Sequence, residues 1–184
     1  MDTNPFEHCA LLVLDMQAPF VEAVQENESL VRRIGLALDA AKLMGLRAFA
    51  TEQVPGKLGP TIPPLRTRLD PERIFPKTAF SALAAEGVPE LLDAWEVEHL
   101  LITGIETPIC VYQTVLAALA DDRDVTVLSD AVGARRPADA DAARRMLSEN
   151  GCHWLPVETV FYSMLEDAED PRFREFSKLV KEHA

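Results

Sequence analysis

No stretch of this 184-residue sequence stays apolar long enough to cross a bilayer: the longest runs, Cys9–Leu14 among them, fall far short of the roughly 20 residues a spanning helix needs. Cationic clusters are missing as well. No group of adjacent Lys and Arg exceeds a pair, and 30 Asp and Glu against 18 Lys and Arg leave a net charge of −12. A phosphate backbone or an anionic membrane needs a basic face, so neither nucleic acid nor membrane is an expected partner. An anionic small molecule is not excluded, because a local cationic pocket can oppose the global field.

Cysteine is scarce and odd in number, with Cys9, Cys110 and Cys152. Residues 1–8 show no cationic end followed by an apolar run, so no secretory leader is expected, and reduced thiols in the cytoplasm are the simple reading. His8, His99, His153 and His183 are too scattered for a metal site, so no metal and no cofactor are expected. No glycine-rich phosphate loop follows the first apolar run, and Asp15-Met16-Gln17 lacks the second carboxylate of a magnesium-dependent phosphotransferase. Nucleotide chemistry is therefore left without a site. Internal repeats, low-complexity tracts and charged tails are also absent.

What remains is a composition suited to a globular fold, 48% hydrophobic and 26% charged, and a length that one domain over 1–184 accommodates. Cys9–Leu14 is a continuous apolar run closed by Asp15, the pattern of a strand buried on both faces. Leu30, Ile34, Leu38 and Ala41 recur at helical spacing, with Ser29 as a candidate cap and Gly45 as a stop. Residues 46–51 read as a second strand, which calls for a right-handed crossover. Residues 52–76 hold six prolines and two glycines and are expected to be a long irregular loop shaping a pocket or a subunit contact. Then follow a short segment at 74–75, a helix at 89–95, a strand at 99–103, a helix at 110–120, a strand at 124–128, a helix at 138–150, a strand at 152–157 and a helix at 171–181. The alternation predicts an α/β doubly wound three-layer sandwich around a mostly parallel sheet of about six strands.

Ligands of such sheets sit beyond the carboxyl ends of the strands. Asp15 follows the first strand, Lys77 follows the 74–75 segment, and Cys110 lies past the fourth strand. Thr107 as N-cap and Pro108 as first helical residue would put Cys110 in the first helical turn, where unpaired N–H groups and the positive dipole end favour an anion. A neighbouring ammonium such as Lys77 would lower the thiol further, from about 8.5 toward neutrality.

Residues 14–17 (LDMQ), 75–81 (FPKTAFS) and 104–114 (GIETPICVYQT), in this order and spacing, resemble the three signature blocks of the isochorismatase-like cysteine hydrolases. Residues 51–53 (TEQ), 129–132 (SDAV) and the ending at 170–181 extend the likeness over almost the whole chain, toward the isochorismatase domain-containing subgroup. The resemblance implies a Cys110, Lys77, Asp15 triad that hydrolyses a small amide, C–N or ester substrate through a thioester. Cys110 attacks the carbonyl carbon, Asp15 takes and returns the proton, and Lys77 stabilises the thiolate. It also implies a cis peptide between Ile105 and Glu106 that aims the N–H groups of Glu106 and Cys110 as an oxyanion hole, and a homo-oligomer, dimer or higher. Where the subgroup has a polar residue two before the nucleophile this chain has Pro108, a difference that bears on the substrate more than on the reaction.

Blander readings stand beside these. Asp15 alone would pass as a turn cap and Lys77 alone as a surface lysine. Cys9, Cys152, Trp95 and Trp154 read as core. Gln17, Phe20, Glu52 and Pro108 are the candidates for the substrate pocket, with packing an equal alternative for Gln17 and Phe20. Arg135 and Arg136 could meet a substrate carboxylate, but solvation or pairing to Asp139 or Asp141 is the favoured reading. An idle oligomer acting as a binding module is the alternative to an enzyme.

Overall fold

The computed structural model describes residues 8–183; residues 1–7, on which the expectation of no leader largely rests, and Ala184 lie outside the described residues. Six strands form one sheet: β1 (Cys9–Leu14), β2 (Arg47–Gln53), β3 (Ile74–Lys77), β4 (His99–Ile105), β5 (Asp124–Gly133) and β6 (His153–Leu155). Their order is β3-β2-β1-β4-β5-β6, and every pairing is parallel. The chain winds outward in both directions from β1 and β4, so the crevice between their carboxyl ends is the switch point where such folds bind ligands.

The helices are α1 (Ala18–Ala23), α2 (Asn27–Met44), α3 (Pro55–Leu58), α4 (Pro63–Arg66), α5 (Val88–Ala94), α6 (Tyr112–Ala120), α7 (Pro137–Glu149), α8 (Val157–Leu165) and α9 (Phe173–Glu182). They cover both faces of the sheet. Leu11 and Val13 of β1 pack with Ile34 and Leu38 of α2, Phe161 of α8 and Phe176 of α9. Ala10, Leu12 and Leu14 point the other way, toward Leu92 of α5, Val115 of α6 and Leu147 of α7. Burial on both sides is why β1 is apolar without alternation.

Several boundaries differ from the sequence reading, each for a local reason. Helix α2 starts at Asn27 because Glu26, in the left-handed region at φ 56°, turns the chain into it, so Ser29 lies inside the helix; Gly45 at φ 76° ends it as read. The proline-rich 52–76 segment is not irregular throughout: its prolines open α3, α4 and a 3-10 turn at Pro71–Arg73, where a missing N–H costs nothing. Strand β5 outruns residue 128 because residues 128–131 bulge out before Val132 and Gly133 pair again with Gly104 and Ile105. Helices α1 and α8 were not expected, although Val157, Val160, Phe161 and Leu165 carry helical spacing after Pro156.

Gly104 has no substitute. Its φ is 111°, and a Cβ there would lie 2.1 Å from the carbonyl oxygen of Leu14, opposite it in register. The bare backbone lets β4 close against the end of β1, where Asp15 begins.

Candidate active site

Strand register sets the site. Leu14 lies level with Thr51 and Gly104, and Gln53 lies level with Lys77, so the carboxyl ends of β1, β2, β3 and β4 deliver their residues to one crevice. Asp15 leaves β1 in the left-handed region at φ 52°, which only a locally over-determined residue holds. Its N–H donates to the carbonyl of Thr51 at 3.1 Å, and its Oδ1 accepts from the Thr51 hydroxyl at 2.8 Å. Lys77 ends β3, and its Nζ lies 2.7 Å from Asp15 Oδ2, 2.5 Å from Gln53 Oε1 and 3.2 Å from the carbonyls of Ala79 and Phe80. Both charged side chains are 0% exposed. The Cys110 sulfur, itself buried, completes the cluster at 3.7 Å from the same Nζ.

Cys110 sits in a π-helical turn, Thr107–Val111, that leads into α6; the Val111 N–H reaches back to the Glu106 carbonyl at 3.2 Å. Such turns recur at functional sites. Glu106, not Thr107, takes the capping position, since the Thr107 hydroxyl donates instead to the Gly133 carbonyl on β5 at 3.2 Å. The Ile105–Glu106 peptide is cis.

The electrostatics correct one expectation. Burial pushes the Cys110 thiol up to about 12, and the Asp15 carboxylate adds to the rise while Lys77 opposes it. The thiol was expected to fall toward neutrality. It does not, because desolvation by burial outweighs the pull of the ammonium, whose charge Asp15 also matches at 2.7 Å. Burial raises the Asp15 carboxyl too, against the pull of Lys77 and hydrogen bonds from Lys77, Cys110 and Thr51. The site thus holds the Lys77–Asp15 ion pair beside a thiol that burial keeps neutral.

A cavity of about 120 Å³ opens onto Cys110. Phe20, Phe80, Ile105 and Ile109 supply its apolar wall, and Gln53, Glu106 and Arg135 its polar groups. Larger hollows of about 380 and 460 Å³ lie elsewhere, and Cys110 lines neither. The small one is the candidate site because it alone among these three reaches the sulfur.

Of the four pocket candidates, Phe20 lines the cavity. Gln17 is fully buried behind it: Oε1 accepts from the Gln53 N–H at 2.7 Å, and Nε2 donates to the carbonyls of Gln53 at 3.0 Å and Gly59 at 2.6 Å. Glu52 turns away, accepting from the Thr61 N–H at 2.7 Å and from Arg66 at 2.5 Å. Pro108 lies in the π-helical turn and is not on the cavity wall. The hydrogen-bonding capacity of Gln17 and Glu52 is spent on holding the 52–66 segment, not turned to the cavity.

Gln53, Phe80 and Arg135 were missed as pocket residues. The first two lie inside sequence blocks already singled out, but nothing in a linear pattern shows that Gln53 would meet Lys77 across two strands. Arg135 was set aside as solvated or paired to Asp139 or Asp141; its side chain is indeed largely exposed, but its partner is Glu106, to which its N–H and Nε donate at 3.0 and 2.9 Å. Arg136 does pair with Asp139, at 3.3 Å. Among the described residues no helix is long and apolar enough to cross a membrane, and no group of three or more His, Cys, Asp and Glu could hold a metal ion.

Comparison with known proteins agrees with the fold. Isochorismatase domain-containing protein 2 of Xenopus laevis is 33% identical over 174 residues, covering 95% of this chain and 84% of its own. A secreted isochorismatase effector of Phytophthora sojae, Isc1, is 31% identical over 94% of this chain and 84% of its own. The solved structure named MAR1 ribonuclease from Caenorhabditis elegans superposes with a TM-score of 0.87 at 29% identity, over 95% of this chain and 90% of that one. Residues 9–159 match the Isochorismatase domain, and the chain belongs to the isochorismatase-like hydrolase family.

Proposed function

We propose that the protein is a cysteine hydrolase for small amide, C–N or ester substrates, with Cys110, Asp15 and Lys77 as its catalytic residues. The observation that carries this reading is the convergence of one buried ammonium on the Asp15 carboxylate at 2.7 Å and the Cys110 sulfur at 3.7 Å. Sγ attacks the carbonyl carbon as its proton passes to Asp15. Protonation of the carboxylate frees the Lys77 charge to face the nascent thiolate, so a thiol that is neutral at rest becomes a nucleophile in the step that needs it. The N–H groups of Glu106 and Cys110, in the opening turn of the helix, receive the developing oxyanion. Asp15 returns the proton to the leaving amine or alkoxide as the thioester forms. Water, deprotonated by Asp15, then attacks the thioester, releases the acid and restores the thiol.

A panel of small amides and acyl esters is expected to contain compounds hydrolysed by the wild type and not by Cys110→Ala, with an acyl adduct on Cys110 seen by mass spectrometry after acid quench. Turnover that is the same in both proteins across the panel would instead favour the idle binding module. Hydrolysis of RNA, which the name of the C. elegans protein would suggest, is not our reading, because a chain of net charge −12 has no basic track for a phosphate backbone.

We also read the protein as a homo-oligomer of the cytoplasm. Its three cysteines are free, which suits a reducing compartment, and Met146, Leu155 and Tyr162 expose large apolar side chains. Sedimentation is expected to show a dimer or larger species at micromolar concentration; a monomer there ends that reading.

A further inference from the structure

We propose that the outer Nη edge of Arg135 binds an anionic group of the substrate, so that the pocket takes small acyl compounds carrying a carboxylate away from the scissile carbonyl. The inference rests on the acyl-pocket reading above and deepens it. Arg135 follows the end of β5, where Gly133 pairs with Ile105, and this register sets it beside Glu106 at the cavity. Glu106 takes the Arg135 N–H and Nε–H, one on each carboxylate oxygen, and so fixes the plane of the guanidinium. The four Nη hydrogens find no acceptor among the described residues, and the side chain is 58% exposed. Three other cations toward this end differ: Lys77 is sealed among five partners, Arg66 is turned to Glu52, and Arg136 to Asp139.

A guanidinium held by its Nε side presents its remaining fork to planar oxygen pairs, which is the geometry a carboxylate accepts. The rest of the wall offers such a group no other free cation. Phe20, Phe80, Ile105 and Ile109 are apolar, and the Asp15 and Lys77 charges cancel within 2.7 Å. Glu106 offsets the charge of Arg135 but lies behind it, 8% exposed, so a ligand approaching the open edge meets the N–H groups first. In a molecule of net charge −12, this edge is where local and global fields oppose each other.

The test uses two alkylating agents of nearly equal size, iodoacetate and iodoacetamide, on the whole protein. Each forms a bond from the Cys110 sulfur to its methylene carbon and expels iodide, and only the first carries a negative charge. The ratio of the two rates at one pH cancels the ionised fraction of the thiol. In Arg135→Gln the iodoacetate to iodoacetamide ratio is expected to fall about three- to fivefold, the size of a partly screened ion pair, with Arg135→Lys in between. Salt gives a second reading that needs no variant. If the global charge governs entry, added NaCl raises the wild-type ratio by screening repulsion; if Arg135 governs it, the ratio falls. An unchanged ratio in Arg135→Gln, or a wild-type ratio that climbs with salt, overturns the proposal. Failure of the hydrolase reading would show separately, as Cys110 that alkylates normally in a protein that hydrolyses nothing.

Discussion

Asp15→Asn is expected to lower turnover by about 10²- to 10⁴-fold, the usual worth of a positioned proton acceptor, while making Cys110 easier to alkylate at neutral pH. The two effects run in opposite directions because, in the mechanism we propose, one ammonium serves two anions in turn. In the wild type Lys77 is matched by Asp15, and burial together with that carboxylate holds the thiol up to about 12. With asparagine the repulsion disappears and the Lys77 charge needs a partner, which the Cys110 sulfur at 3.7 Å can supply only as a thiolate. The inflection of the iodoacetamide rate against pH therefore moves down. Asparagine is a mild replacement here, since it tolerates the positive φ of position 15 and its amide oxygen can keep the bond from Thr51. An inflection that stays or rises in the variant would mean that Asp15 is not what holds the thiol neutral.

Lys77→Met is expected to have the largest effect on stability. It leaves the Asp15 carboxyl buried with no cation, and breaking a buried pair on one side costs about 3–5 kcal/mol, or roughly 6–20 °C in Tm for a chain of this size. The pH dependence has a definite sign. Burial already raises the Asp15 carboxyl, and loss of Lys77 removes the main influence that opposes the rise. A carboxyl raised on folding binds its proton more tightly in the native state, so the deficit is greatest above the folded value and shrinks as pH falls toward about 4, the value of an unfolded carboxyl. Thermal melts of the variant between pH 8 and 4 should show this recovery relative to wild type. Adding Asp15→Asn to Lys77→Met should also restore much of the lost stability, and a double variant as weak as the single one would contradict the pairing.

The periodicities that could be read linearly were those set by neighbours in the chain. The apolar run of β1, the 3.6-residue spacing of α2 and the alternation of strand and helix all report burial against one or two faces, and they led to the doubly wound sheet. Elements whose reason lies elsewhere in space were not legible. The extension of β5 depends on a bulge opposite Thr103, and α1 depends on the crevice it lies over. Asp15, Lys77 and Cys110 could be named as candidates because each lies at or past the end of a strand and each falls in a recognisable block. Their ionisation could not be read the same way. Lys77 beside Cys110 suggested a lowered thiol, and only the distance to Asp15 shows that the charge is already committed. The same holds for the pocket candidates Gln17 and Glu52, whose partners are Gln53 and Gly59 for the first and Thr61 and Arg66 for the second.

Phe80 joins two properties that are usually kept apart. Its ring stands 51% exposed on the cavity wall, while its carbonyl oxygen helps hold the buried Lys77 ammonium. The first belongs to the side chain and the second to the backbone, so the aperture can be widened or narrowed by exchanging the ring without disturbing the charge beneath. Selection, or an engineer, has at this position a means of changing which molecules reach Cys110 while leaving the groups around Lys77 as they are.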